Sequence, residues 1–360
     1  MTKDKRQYGS ERGLSVNHYP INMINKILLS VDKNSNTDKY SVLVSMLDAS
    51  HAFERQSHIL GVQSFLDNNI RVSLIPTISN FFQNRKLCVK WKNTFSKTQK
   101  VSGGGPQGGT LGILEFISMT NGNLDFLPED EGFKFVNDTS FLEVLDLLAL
   151  GLSSFNPKFQ VPSDIPPEEG FLSAKNFQTQ KHLDTISRWT EDHQMLLNPI
   201  KSKYMIVNFC TSLQFRTRLY INDSILDQVQ STRLLGVIIS DDLSWQKNTQ
   251  DICKRANKRM IILRKLREFG VSTKDMLTIY VLYIRGTLEQ SSVVWSTSLT
   301  KDEEYSFERI QKIAFKIILQ DEYVTYENAL KLTNLPTIKA RHHLLLQKFA
   351  LKCIKNSKNL

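Results

Sequence analysis

The sequence predicts a mixed α/β body followed by an all-helical, basic one, and three observations carry that prediction. β-type runs alternate with amphipathic segments as far as about residue 245, and from Trp245 onward the apolar spacing is helical almost to the end. Charge divides at the same place. Residues 246–360 hold 21 Lys/Arg against 11 Asp/Glu, whereas residues 1–245 hold 25 of each, so the net charge of +10 belongs to the last third. With 360 residues, 41% apolar and 23% charged, the chain has the length for two or three compact units and a globular composition.

The polar N-terminus, MTKDKRQYGSERG, lacks the apolar run of a signal peptide. No apolar stretch approaches the ~20 residues of a membrane helix. Cys88, Cys210, Cys253 and Cys353 are far apart and make no zinc spacing. The expectation is an intracellular protein, nuclear and/or cytoplasmic, with no membrane partner and no zinc.

HYPINMINKILLSV places Ile21, Ile24, Ile27 and Leu28 on one helical face. SVLVSMLD, residues 41–48, is apolar on both sides of the pleat, as a strand in the middle of a sheet requires, and it ends in a carboxylate. AFERQSHILGVQSFLDNN reads as a helix, SLIPTISNFFQNR as an amphipathic stretch and LCVKW as a strand leading into VSGGGPQGGTLGILEF. Phe133, Phe135, Phe141 and Leu142 in FKFVNDTSFL mark two short strands, with Asn137-Asp138 as the turn between them. Residues 151–172 hold four of the ten prolines and read as an extended loop. NFQTQKHLDTISRWTEDHQM is helical, LLNPIKSKYMIVNF a turn into a strand, and LYIND and STRLLGVIIS short β segments.

GGGPQG formally satisfies G-x-G-x-x-G, but that fingerprint needs an apolar strand running into the turn, and SKTQKVS precedes it. A phosphate loop fails too, because Gly109 stands where its lysine belongs. What remains is a permissive backbone displaying Gln107, suited either to close approach of a flat or charged ligand or to a tight turn alone. In order, the chain then offers a strand ending at Asp48, a glycine turn and a hairpin tipped by Asn137-Asp138. Two-metal nucleotidyl transfer needs carboxylates converging from neighbouring strands, and a strand end plus a hairpin tip supplies that geometry. The rival reading of the hairpin is an ordinary turn. KNTQDICKRANKRMIILRKLR, residues 247–267, carries eight basic residues and one acid. Lys254, Arg255, Lys258 and Arg259 make two i,i+4 basic pairs outside a buried face, either a phosphate-binding stripe or a solvated one. His342-His343 reads as a surface pair.

Taken together, these motifs resemble the reverse transcriptase of non-LTR (LINE-type) retrotransposons over nearly the whole chain. LDASHAFERQSH resembles the first catalytic motif of that family and SGGGPQGGTLGILEF its Gly-x-Pro-Gln-Gly template-contacting motif, the most specific element. FVNDTSFL resembles Phe-x-Asp-Asp, WTEDHQMLLNPIKSKYMIV the motif that follows, STRLLGVIISDDLSW the primer grip, and LRKLREFGVSTKDMLTIYVLYIRGTLEQSSVVW the thumb and the segment after it. QYGSERGLSVNHY is similar to the end of the fingers.

The resemblance implies an α/β (α+β) right-hand polymerase palm over 41–245, partial fingers over 1–40, a helical basic thumb over 246–300 and a C-terminal helical extension over 301–360. It implies RNA-templated extension of a DNA primer 3′-hydroxyl by deoxynucleoside triphosphates, with Mg²⁺ or Mn²⁺ in a two-metal site. Asp48 and Asp138 would be metal ligands, with Ala49 beside the first. Phe53 would be the gate against a ribose 2′-hydroxyl, Gln107 and Gly108 would face template and nucleotide, and Lys201 would stand near the leaving pyrophosphate. Leu235 and Gly236 would touch the primer, and Lys254, Arg255, Lys258 and Arg259 the duplex phosphates. Asn137 stands where the family has its first hairpin Asp. An amide brings no charge, and Mg²⁺ is a hard cation that prefers carboxylate, so an impaired site is expected. The chain also begins near the end of the fingers by this resemblance. The alternative expectation is an inactive remnant that binds nucleic acid through its basic helices.

Overall fold

His18–Asp32 (α1) buries Tyr19, Met23 and Ile27 completely, an i,i+4,i+8 line that makes one helical face. Each such apolar side chain stabilises the packed state by roughly 1.5–3 kcal/mol. The face lies over the next strand, Tyr40–Leu47 (β1), and over Gly132–Phe135. The computed structural model describes residues 4–32, 40–101, 103–106, 109–147, 149–150, 171–209 and 215–357. The proline-rich stretch expected to be a loop lies, for residues 151–170, outside the described residues.

After β1 come His58–Asp67 (α2) and Ile75–Phe82 (α3), then four two-residue strands, Lys86–Leu87 (β2), Lys90–Trp91 (β3), Thr94–Phe95 (β4) and Gln99–Lys100 (β5). Thr110–Met119 (α4) leads to the hairpin Gly132–Phe135 (β6) and Asp138–Asp146 (β7). Phe171–Leu172 (β8), Gln178–Asp192 (α5), Lys203–Asn208 (β9), Arg216–Thr217 (β10), Tyr220–Ile221 (β11), Ser224–Ile225 (β12) and Asp227–Gln228 (β13) complete the first unit. Its main sheet runs β13-β9-β1-β7-β6, with β1 antiparallel to both neighbours and β13 parallel to β9. The strand that is apolar on both faces is thus the central one. Leu43 and Leu47 share an apolar cluster with Leu183 and Ile186 of α5. Glu143 of β7 starts α5, its carboxylate accepting from Gln178 N–H (2.9 Å), Thr179 N–H (2.7 Å) and the Thr179 hydroxyl (2.6 Å). A carboxylate suits the positive end of a helix dipole.

The chain divides into two compact units at Gln230/Ser231, ahead of the change in periodicity at Trp245. Ser231–Leu234 (β14) and Val237–Ser240 (β15) form a hairpin that belongs with the helices, because Asn248 accepts from Ile238 N–H (3.1 Å) and Arg233 pairs with Asp251 (2.8 Å). The helices are Gln246–Glu268 (α6), Thr273–Ile279 (α7), a π-helical turn Tyr280–Arg285, Gly286–Glu289 (α8), Ser292–Trp295 (α9), Lys301–Leu319 (α10), Tyr326–Thr333 (α11) and Ile338–Ser357 (α12). α10 lies along α6, so 246–300 and 301–357 belong to one unit. α10 opens with a capping box in which Thr300 and Glu303 exchange hydrogen bonds. Tyr280, Ile284, Leu288, Trp295, Phe307 and Phe315 are fully buried. His342 is a correction to the surface pair expected. It is buried edge-on against Trp295 and Phe307, its Nε2–H donates to the Leu288 carbonyl (2.9 Å), and burial holds its pKa below the ordinary value. Among the described residues no helix is long and apolar enough to cross a membrane.

Candidate functional site

The centre of interest is the end of β1. Its register with β7 pairs Met46 with Ser140 and Leu47 with Thr139, so one step further Asp48 comes opposite Asp138. The pairing ends at Leu47, and just beyond it the Asp48 carboxylate lies near enough to Asp138 for the like charges to repel. Burial first, and the Asp48 carboxylate second, raise the Asp138 pKa above the usual Asp range. Lys201 Nζ lies 3.8 Å from Asp48 Oδ2 at an exposed position, close enough to attract and too far for a strong pair.

The backbone at Asp48 is held by the segment that carries Lys201. Asp48 N–H donates to the Ser202 hydroxyl (3.1 Å), Asn198 N–H donates to the Asp48 carbonyl (2.8 Å) and Ser50 N–H donates to the Leu196 carbonyl (2.8 Å). Ala49 bridges Leu197. Asn198 also accepts from Lys201 N–H (3.2 Å), which closes the turn read from LLNPIK.

The hairpin differs from expectation by one residue. Phe135 pairs with Asp138, so the two-residue turn is Val136-Asn137 and Asp138 is the first residue of β7. Val136 takes φ +58°, a left-handed conformation that a β-branched residue rarely adopts. Its N–H donates to Gln7 Oε1 (2.9 Å), which also accepts from Gly9 N–H (2.9 Å). Segment 6–8 runs beside β6, with Lys134 N–H donating to the Arg6 carbonyl and Tyr8 N–H to the Lys134 carbonyl, both 2.8 Å. The Lys134 ammonium is buried, bonded to the Thr120 carbonyl (2.9 Å), to Asn123 (3.0 Å) and to Asp4. Burial lowers its pKa while Asp4 pulls it up. Burial works to raise the Asp4 carboxyl, yet Lys134 and Arg6 together keep it below the ordinary value. Sequence reading missed Gln7, Asp4 and Lys134 as supports. The one available signal was a lysine inside the apolar run GFKF.

The glycine turn comes to the same place. Gly104 N–H donates to the Gln56 carbonyl (2.8 Å) and Gly105 N–H to the Phe53 carbonyl (2.7 Å). Gly104 has φ +92°, which favours glycine, and a Cβ on Gly105 would displace the Gln56 side chain, whose Oε1 lies 1.7 Å from that position. This contact also explains why Ala52–Gln56, expected to begin a helix, is a turn, with α2 starting after Ser57. Gln107 and Gly108 lie outside the described residues. Phe53 is half-buried, its ring 5.1 Å from Phe116, in a cluster with Ala52 and Met195. Asn137 borders a cavity of about 30 Å³ with Ala49, Thr139, Trp189 and Leu197.

Beneath this surface lies an unexpected acid. Glu115 of α4 is fully buried and neither carboxyl oxygen has a hydrogen-bond partner. Burial pushes its pKa up to about 7, against the opposing pull of Arg85. It fits only because position 61 on α2 is glycine, where a Cβ would meet Glu115 Oε1 at 2.2 Å.

The four basic residues expected to make a stripe on α6 divide into two pairs. Lys254 and Lys258 are exposed. Arg255 turns to Asp251 and Gln290, both at 2.9 Å. Arg259 bonds the Tyr283 carbonyl (2.6 Å) and Thr287 and stacks 4.3 Å over the Tyr283 ring. Leu235 (φ +46°) and Gly236 (φ +90°) form the two-residue β14–β15 turn, both left-handed as a type I′ turn requires.

Two carboxylates at a strand end suit one divalent cation. Among the described residues no three His, Cys, Asp or Glu side chains group where they would hold a metal. Asn137, in the turn beside Asp138, adds an amide without charge.

No protein-family model and no curated protein matches the chain. Among solved structures it is similar to apo telomerase from Candida tropicalis, at 13% identity and a TM-score of 0.43 over 92% of this chain and 55% of that one. It is also similar to the Candida tropicalis enzyme in complex with a fragment of telomeric RNA, at 10% identity and a TM-score of 0.42 over 92% and 53%. The Candida albicans complex with such a fragment aligns at 11% identity and a TM-score of 0.40 over 97% and 56%. The chain spans about half the length of these telomerases.

Proposed function

We propose that this chain is the polymerase core of an RNA-directed DNA polymerase of the non-LTR retrotransposon type, impaired at one metal ligand. The observation that carries the reading is the antiparallel register that sets Asp48 against Asp138, with Lys201 beside Asp48. In this reading the five-stranded sheet is the palm and the basic helical unit the thumb. The reaction is attack of a primer 3′-hydroxyl on the α-phosphorus of a deoxynucleoside triphosphate paired to an RNA template. A new P–O bond forms and pyrophosphate leaves.

Asp48 and Asp138 would hold Mg²⁺ or Mn²⁺, which when bound activates the attacking hydroxyl and neutralises the leaving group. Lys201 gives a proton to the departing pyrophosphate. Phe53, propped on Phe116, bars a ribose 2′-hydroxyl. Gln107 and Gly108 face the template–nucleotide pair. The Leu235-Gly236 turn touches the primer, and Lys254 and Lys258 contact duplex phosphates. Arg255 and Arg259 hold the thumb together instead, since their hydrogen bonds run inward.

Asn137 favours a second reading, a nucleic-acid-binding remnant without turnover, because losing one of three negative ligands removes transition-state stabilisation at tenfold in rate per ~1.4 kcal/mol. Primer extension on an RNA template with Mg²⁺ or Mn²⁺, for the chain beside Asn137→Asp, separates the two. The polymerase reading expects Asn137→Asp to extend the primer at least ~100-fold faster. Salt-sensitive duplex binding with no extension by either protein establishes the remnant.

A further inference from the structure

The ribbon β2–β5 has no place in the chemistry above, and its surface is unusual. Every residue from 86 to 100 is exposed. Leu87 (56%), Val89 (61%), Trp91 (74%) and Phe95 (61%) stand in solvent where apolar side chains are costly. Lys86, Lys90, Lys92, Lys97 and Lys100 lie among them, residues 84–101 contain no acid, and none of the five pairs with a carboxylate among the described residues.

The register arranges these groups. Lys86 faces Lys100 across β2 and β5, a like-charge pair that destabilises the ribbon unless an anion lies between. Lys90 faces Phe95, with its ammonium 5.5 Å from the ring centre, and Trp91 faces Thr94 on the opposite side. Lys92, at φ +53°, begins the two-residue turn at the tip. Ser96 accepts from Val89 N–H and donates its own N–H to the Val89 carbonyl, both 2.9 Å, so the pairing continues between the two strand pairs. A two-stranded ribbon exposed on both faces is marginal alone and gains from a ligand.

Flat rings interleaved with uncompensated cations match a polymer of flat bases and phosphates. We propose that this ribbon binds single-stranded nucleic acid that wraps its edge, with bases stacking on Phe95 on one face and on Trp91 on the other and phosphates neutralised by the five lysines. The charge disfavours a basic occupant, and ring stacking with phosphate neutralisation reads no base edges, so the contact is sequence-blind. The inference does not depend on the Asp48–Asp138 reading, since it concerns binding without metal or nucleotide.

The test is titration of the full chain with a labelled oligouridylate in EDTA, read by anisotropy and by tryptophan emission. Trp245 and Trp295 are buried and Trp189 is half-buried against His193, so Trp91 is the tryptophan most open to a stacking base. Unmodified protein is expected to bind with quenched emission. Trp91→Leu/Phe95→Leu weakens binding about tenfold or more and removes the quench. Lys90→Gln/Lys92→Gln/Lys97→Gln lowers the slope of log K against log salt by about 2. Duplex affinity, a readout of Lys254 and Lys258, changes less in both variants, and their unchanged circular dichroism confirms folding. Unaltered oligouridylate affinity in both variants overturns the proposal. So does absence of binding together with self-association that the Leu variant abolishes, which makes the ribbon a protein interface. Primer-extension results leave these outcomes untouched.

Discussion

Two sets of carboxylates are treated in opposite ways. In the helical unit, Glu289 receives Arg285 (3.0 Å) and both nitrogens of an Arg341 fork (2.9 and 3.2 Å), and Asp251 receives Arg233 and Arg255. Those arginines hold Asp251 below the usual carboxylate range, although burial alone would raise it. At the sheet end, Asp48 and Asp138 are set against each other and Asp138 is raised. A saturated charge belongs to the architecture. An unsaturated one, kept in place by backbone pairing that is indifferent to its charge, is available to a ligand. The same contrast holds among the cations, since Arg255 and Arg259 are spent on internal bonds while the ribbon lysines are not. Basic composition alone therefore does not show which charges remain uncompensated.

Glu289→Gln should give the largest effect, since it leaves two mostly buried guanidiniums without their anion. Breaking a buried pair on one side costs on the order of 3 kcal/mol. Urea unfolding of the full chain, followed through the emission of the buried Trp295, should show the transition of the helical unit at lower denaturant. An unchanged midpoint would mean that Glu289 is not the keystone of that unit.

Glu115→Gln should act in the opposite direction in the sheet unit. The Glu115 pKa of about 7 stands above the ordinary 4.5. Between those values the folded protein keeps a proton that the unfolded chain has released, so stability falls as pH rises through that window. Above pH 7 the penalty is complete, on the order of 3 kcal/mol, and the amide removes it. Wild type and variant should melt together near pH 4.5 and diverge by pH 8, with the variant higher. Parallel curves across that range would place the carboxyl in water.

The sequence shows the central strand because SVLVSML is apolar on both faces, and the change to helices because the period changes at Trp245. It shows Asp48 at the end of a strand, and it puts Asp138 in the hairpin turn, one residue away from its place as the first residue of β7. It does not show the boundary at Gln230, since β14 and β15 read as β, and their ties to the helices run through side chains such as Asn248, Arg233 and Lys247. Nor does it separate Lys254 from Arg255, adjacent residues of one charge, because helical phase sets one outward and the next inward. Gln7 and Asp4 lie some 130 residues from the hairpin they steady, a distance that local pattern does not span.

Asp138→Asn should give the smallest effect and the sharpest test of the contrast. The substitution removes one of two opposed charges and keeps the shape, so the metal-free protein should gain up to about 1 kcal/mol at neutral pH. The gain has a definite pH sense. With the Asp138 pKa raised, the folded state holds its proton longer than the unfolded chain does. Metal-free stability of the unmodified protein therefore drops as pH climbs through the carboxylate range, and the amide flattens that drop. Adding Mn²⁺ should reverse the order, because a bound cation stabilises the folded state by mass action and needs both carboxylates. Thermal melts of the two proteins at neutral pH, with EDTA and with Mn²⁺, read both halves at once. If Asp138→Asn instead destabilises the metal-free protein, the opposed pair is a structural contact of the kind found at Glu289, and the sheet end loses its claim to be poised for a ligand.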